Sequence, residues 1–213
     1  MKTDDLISAL SERLEPTSPR APLWAMALWI VGGLAVSAAL MLTVLGLRPD
    51  FMTAMGTGMF WTKFTYTLAL GGIGLWLAER MGRPGVQIGR PARMLQSLVI
   101  GFIVLAAIRY FTAPAADHAR MLMGHSARLC PCYILALSVP LLLATLVAMR
   151  RLAPTNPTLT GFAAGLAAGG MAAFVYAFSC NESAMPFVAA WYTLPVLICG
   201  LVGAVIGRFA LRW

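Results

Sequence analysis

The chain has 213 residues, of which 60% are hydrophobic and 11% charged, with a mean hydropathy of +0.79. Soluble domains are nearer to about 45–50% apolar and about 25% charged, so this composition excludes an ordinary soluble globule and indicates an integral membrane protein. The formal net charge of +8 raises nucleic acid as a partner, but the sixteen Lys and Arg are scattered between apolar runs and form no basic stripe, so direct nucleic-acid binding is not expected.

The apolar runs are continuous, whereas a β-barrel needs alternation within strands of about ten residues. A helix of about 20 residues crosses a hydrocarbon core of roughly 30 Å. The reading is therefore an all-α integral membrane protein, a bundle of six transmembrane helices with short loops and both termini cytoplasmic. It divides into a polar segment, residues 1–20, and a transmembrane domain, residues 21–213. The N-terminus lacks the long apolar core of a signal peptide, since Asp4, Asp5 and Glu12 interrupt it.

In residues 1–20, Thr3 or Asp4 can cap a short helix that ends at Pro16. Leu6, Ile7, Leu10 and Leu14 fall on one face of it. So short a helix is marginal alone in water and orders when its apolar face finds either a partner's groove or the lipid surface.

The spans follow at about 23–47, 60–78, 94–111, 133–149, 159–178 and 187–206. Lys63 and Arg109 stand close enough to span ends to snorkel to the interface. A polar loop over 112–129 holds both histidines, His118 and His125, and Cys130-Pro131-Cys132 stands at the mouth of the fourth span, whose interior holds Pro140. In the fifth span Gly161, Gly165 and Gly169 recur every four residues, a pattern that lets helices approach closely; packing is the preferred role, and a homodimer through this face stays open. With the N-terminus inside, eleven Lys and Arg face the cytoplasm and five the outside, as the positive-inside tendency requires. Cys130, Cys132 and Cys180 then share the outer face, which in a bacterium is the oxidising periplasm.

Acidic residues map to loops and helix ends, which argues against a proton-coupled transporter, and no catalytic triad or phosphate-binding loop is visible. The chemistry available is thiol chemistry. Cys199, within the last span, reads as an inert buried thiol. Cys130 and Cys180 stand at helix ends beside polar residues, and three readings compete for them. One is a static disulfide. Another is a reactive or metal-binding thiolate pair, with Arg128 favouring the thiolate of Cys130 and with His118, His125, Cys132 and Glu182 as further ligands. The third is a thiol oxidoreductase passing electrons to a quinone. A small transporter is the other alternative class.

The opening MKTDDLISAL, LGLRPD, FWTKFTYTLAL, RRLAPTNPTLTG, YAFSCNESAMPFVAAWY and the terminal LRW together resemble the NrsF family of membrane anti-sigma factors, over nearly the whole chain. The resemblance implies a protein that is not an enzyme, lies in the bacterial inner membrane, and holds an extracytoplasmic-function sigma factor inactive until stress releases it. It also implies two periplasmic cysteines needed for the response to heavy metals, and the expected signal is a metal or an oxidant engaging them. These map to Cys130 in CPCYILALSVP and Cys180 in SCNESAMPF, with Glu182 a weak addition. Cys132 and Cys199 stand outside the family pattern, and the usual His before the second cysteine is Ser179 here. No resident cofactor is implied beyond transient heavy-metal binding. Leu6, Ile7, Leu10 and Leu14 become the candidate sigma-binding face.

Overall fold

A computed structural model describes residues 21–212, and all regular structure in them is helical. The N-terminal face of Leu6, Ile7, Leu10 and Leu14 lies outside the described residues. The helices are α1 (Ala21–Val44), α2 (Phe51–Met55), α3 (Gly58–Met81), α4 (Gly89–Thr112), α5 (His118–Met123), α6 (Leu129–Met149), α7 (Pro157–Tyr176), α8 (Met185–Trp191) and α9 (Thr193–Ala210). Among the described residues five segments are long and apolar enough to cross a membrane: α1, α4, α6, α7, and α8 with α9 taken together. α3 equals α1 in length at 24 residues but carries Lys63, Glu79 and Arg80.

Local chemistry sets the boundaries. Thr57 caps α3 by accepting the amide N–H of Phe60, and Asn156 caps α7 by accepting that of Leu159, with Pro157 in the first turn where its missing N–H costs nothing. The last rod breaks at Tyr192 because Pro195 has no N–H for the carbonyl of Trp191 one turn earlier. The polar loop expected over 112–129 is structured: a 3-10 turn at Ala115–Asp117 leads into α5, which Trp191 ties to α8 through a hydrogen bond from its indole N–H to the carbonyl of Leu122 (2.8 Å).

α7 is the central helix, and its glycines explain why. A methyl group on Gly161 would overlap the carbonyl of Gly203, one on Gly165 that of Cys199, and one on Gly170 the backbone of Gly71. The small-residue face is thus consumed inside the bundle, against α9 on one side and α3 on the other, and is not open to a second copy of the chain. α6 packs on a third side of α7, and α1 docks on α6 where Gly33 meets Pro140 and Ala144. The hydroxyl of Ser37 donates to the carbonyl of Leu137 at 3.0 Å, joining α1 to the turn of α6 that precedes Pro140.

Alternation of the helices gives the bundle two unlike ends. Arg80, Arg83, Arg90, Arg93, Arg150, Arg151, Arg208 and Arg212 lie at one end, where Arg150 Nε also donates to the carbonyl of Ala210 at 2.8 Å. The cysteines at 130, 132 and 180 lie at the other.

Candidate functional site

The site forms where α6 begins and α7 ends. Cys130 sits in the first turn of α6, inside the helix and not before it as the sequence reading had it; its amide N–H donates to the carbonyl of Ser126. Cys180 follows α7 by one turn, its amide N–H donating to the carbonyl of Tyr176. The two sulphurs stand 3.7 Å apart as thiols, although 50 residues separate them in sequence. Both are buried, Cys130 completely and Cys180 with 4% exposed. Cys130 Sγ is enclosed further by the hydroxyls of Ser126 (3.2 Å) and Tyr176 (3.1 Å).

Beneath the turn from Cys180 to Glu182 lies Lys63. A helical side chain leans toward its helix N-terminus, and in α3 that direction is the thiol end of the bundle. Lys63 therefore does not snorkel to lipid; it turns inward and is only 1% exposed. Its Nζ donates to the carbonyls of Cys180 (2.8 Å) and Glu182 (2.9 Å) and stands 5.9 Å from the centre of the Tyr192 ring. Arg48 reinforces the same turn. Its backbone N–H donates to the carbonyl of Phe178, and Nη1 reaches the Cys180 carbonyl at 3.4 Å. Two hydrogen bonds of 2.7 Å to Asp50 hold the guanidinium in place, and they keep the Asp50 carboxyl below its ordinary range. A cluster of Phe51, Phe60, Phe64, Phe174 and Phe178 shields this turn from the side.

The electrostatics are unequal between the two sulphurs. Hydrogen bonding from Cys130 holds the Cys180 thiol down at about 6; burial opposes this, and the Lys63 ammonium adds to it. Of the two sulphurs, Cys180 is therefore the one held toward the thiolate. Tyr192 is fully buried against Cys180, which is the polar side chain its hydroxyl faces.

The other proposed ligands are not brought to the thiols. Cys132 points outward and is exposed, its thiol donating to the carbonyl of Arg128. His118 stacks on Tyr110 and hydrogen-bonds the carbonyl of Ala113, and the His125 ring is 92% exposed. Arg128 is exposed, and the buried cations beside the thiols are Lys63 and Arg48 instead. Cys199 is buried far down α9, where it donates to Ser138 Oγ at 3.0 Å. Among the described residues no three of Cys, His, Asp and Glu gather into a group that could hold a metal ion.

Glu182 is engaged with the loop before α6. Its carboxylate accepts the backbone N–H of His125 at 2.7 Å and fills the space over Gly124, whose positive φ of 50° lets the chain turn there. Glu182 thereby straps the loop before α6 to the turn that carries Cys180. Glu182→Ala is expected to loosen residues 124–128, removing a charge-assisted bond of about 1.5–3 kcal/mol, and hydrogen–deuterium exchange confined to that loop would show it. Unchanged protection there would assign the strap to other contacts.

Lys63 and Arg48 were the functional residues least visible beforehand. The available signal was a lysine within an otherwise apolar span, which by default marks function when it faces the protein.

Comparison with known proteins identifies the family of the chain. A family described as NrsF, negative regulator of sigma F, matches residues 10–213. The anti-sigma-F factor NrsF of Caulobacter vibrioides is 42% identical over 221 aligned positions, and the probable anti-sigma-F factor NrsF of Azospira oryzae is 37% identical over 213; each alignment covers all of both chains. No solved structure matches the chain significantly. With the family matched over nearly its whole length and both relatives aligned from end to end, this chain belongs to the NrsF family of negative regulators of sigma F.

Proposed function

We propose that this protein crosses the bacterial inner membrane six times, with α3 as the additional span, binds an extracytoplasmic-function sigma factor at its cytoplasmic end, and releases it when Cys130 and Cys180 react on the periplasmic side. The sigma-factor partner follows from the family and from what its named relatives are called. The orientation follows from charge: the arginine-rich end is the cytoplasmic one by the positive-inside tendency. Residues 1–20 enter α1 from that end, so Leu6, Ile7, Leu10 and Leu14 are the proposed sigma-binding face.

The observation that carries the sensing role is the 3.7 Å approach of two buried thiols, one at the start of α6 and one just beyond the end of α7. A disulfide needs the sulphurs at about 2 Å, so forming one draws the start of α6 and the end of α7 together. Because α7 is packed on α3, α6 and α9, that movement is felt across the bundle. Such a signal works only to the extent that the holding and releasing states differ in how they accommodate the reacted pair. Oxidation is favoured over capture in a closed zinc-type site, since such a site takes about four ligands and the described residues assemble two sulphurs.

The test is copurification of the sigma factor with the detergent-solubilised protein, before and after oxidant. Cys130→Ser with Cys180→Ser should retain the sigma factor and no longer release it, while removal of residues 1–15 should abolish capture. Release from the double variant would remove the thiols from the mechanism. Release by a soft metal ion under strictly reducing conditions would move the signal from oxidation to metal capture.

A further inference from the structure

Disulfide formation between neighbouring thiols requires one to react first, and the surroundings of the pair are not symmetric. Cys130 is fully enclosed, its sulphur flanked by Ser126, Tyr176 and Cys180. Cys180 keeps a small exposed fraction and sits on a turn whose carbonyls are gathered by a buried ammonium and a guanidinium. A buried lysine is retained at a cost in desolvation, and its two hydrogen-bond acceptors are neutral carbonyls. Of the negative groups near it, the Asp50 carboxylate is paired with Arg48 and the Glu182 carboxylate is engaged by the amide of His125, which leaves a negative sulphur on the same turn as the group for Lys63 to balance.

We propose that Lys63 is a positioning residue for the thiol pair: its ammonium makes Cys180 the sulphur that attacks first and leaves Cys130 to close the bond. The inference rests on the sensing role assigned above and names its order of events. With a hydroperoxide as oxidant, the Cys180 thiolate attacks the terminal oxygen. A sulphur–oxygen bond forms, the oxygen–oxygen bond breaks, and the leaving alkoxide or hydroxide takes a proton from water. Cys180 is then a sulfenic acid. Cys130, 3.7 Å away, attacks that sulphur; the disulfide forms, the sulphur–oxygen bond breaks, and the departing hydroxide leaves as water with the proton of Cys130. Two electrons pass from the thiol pair to the peroxide. Lys63 touches neither reacting atom of the peroxide; it acts through the charge and placement of Cys180.

The experiment uses the full chain in detergent, hydrogen peroxide as oxidant, and dimedone to trap sulfenic acid, with labelled peptides read by mass spectrometry. In Cys130→Ser the label should accumulate on Cys180. In Cys180→Ser the label on Cys130 should appear about tenfold more slowly or not at all. Adding Lys63→Gln to Cys130→Ser keeps a donor for the two carbonyls but removes the charge, and should slow labelling of Cys180 about tenfold; Lys63→Arg should recover most of it. Faster labelling of Cys130 than of Cys180 overturns the order even if no Lys63 variant folds. Unchanged Cys180 labelling in a folded Lys63→Gln protein removes Lys63 from the mechanism. Neither result touches the broader sensing role, which fails separately if the double serine variant still releases its sigma factor.

Discussion

Gly165→Ala should destabilise the bundle by about 3 kcal/mol, at the upper end of what overpacking costs, whereas the same substitution at Gly101 should stabilise it slightly. The added methyl group is identical in the two cases. At Gly165 it overlaps the carbonyl oxygen of Cys199 on α9, which is backbone and cannot rotate away, so α7 and α9 must separate. At Gly101 it meets nothing within 4 Å, and the gain is the helix preference of Ala over Gly, about 0.5–1 kcal/mol. Thermal unfolding in detergent, followed by helical circular dichroism, would compare them. Equal effects at the two positions would mean that α7 does not seat on α9 through its glycines.

Lys63→Ala should cost about 2–4 kcal/mol, while Arg109→Ala should fall within about 0.5 kcal/mol of the parent. Both are basic residues within long, largely apolar helices, and in the sequence they read alike. Arg109 is exposed on α4. Lys63 is buried and supplies the hydrogen bonds to Cys180 and Glu182, so its removal orphans the Glu182 carbonyl, leaves the Cys180 carbonyl to Arg48 alone, and opens a cavity. Replacing a buried charge with a well-packed apolar residue can be harmless; Ala supplies neither volume nor donor. The same unfolding measurement tests it, and loss of protection at residues 178–184 should accompany the lower midpoint. An Ala variant as stable as the parent would show that the turn holds itself.

Much of the helical organisation was legible because apolar runs of membrane length are a one-dimensional signal. The spans read at 94–111 and 159–178 lie within two to five residues of Gly89–Thr112 and Pro157–Tyr176. The glycine period of the fifth span also announced a close helix contact. What could not be read was its partner, because the α9 glycines at 200, 203 and 207 carry no label saying that they face Gly161 and Gly165 rather than a second chain. The loop at 112–129 was taken as polar connection because α5 is six residues long and too short to show a period.

The thiol site divides in the same way. Two cysteines near helix ends at one end of the bundle followed from counting helices, and the chain by itself determined that much, together with the charge asymmetry of the two ends. Whether Cys130 and Cys180 meet, and which other side chains join them, was decided by packing alone. The direction a helical side chain takes turned Lys63 from a lipid-facing cation into the floor of the site, and Glu182 from a candidate ligand into a strap across Gly124. Sequence records which groups a helix carries and in what order, while distances of a few ångströms between groups 50 or 117 residues apart exist only once the helices have chosen their neighbours.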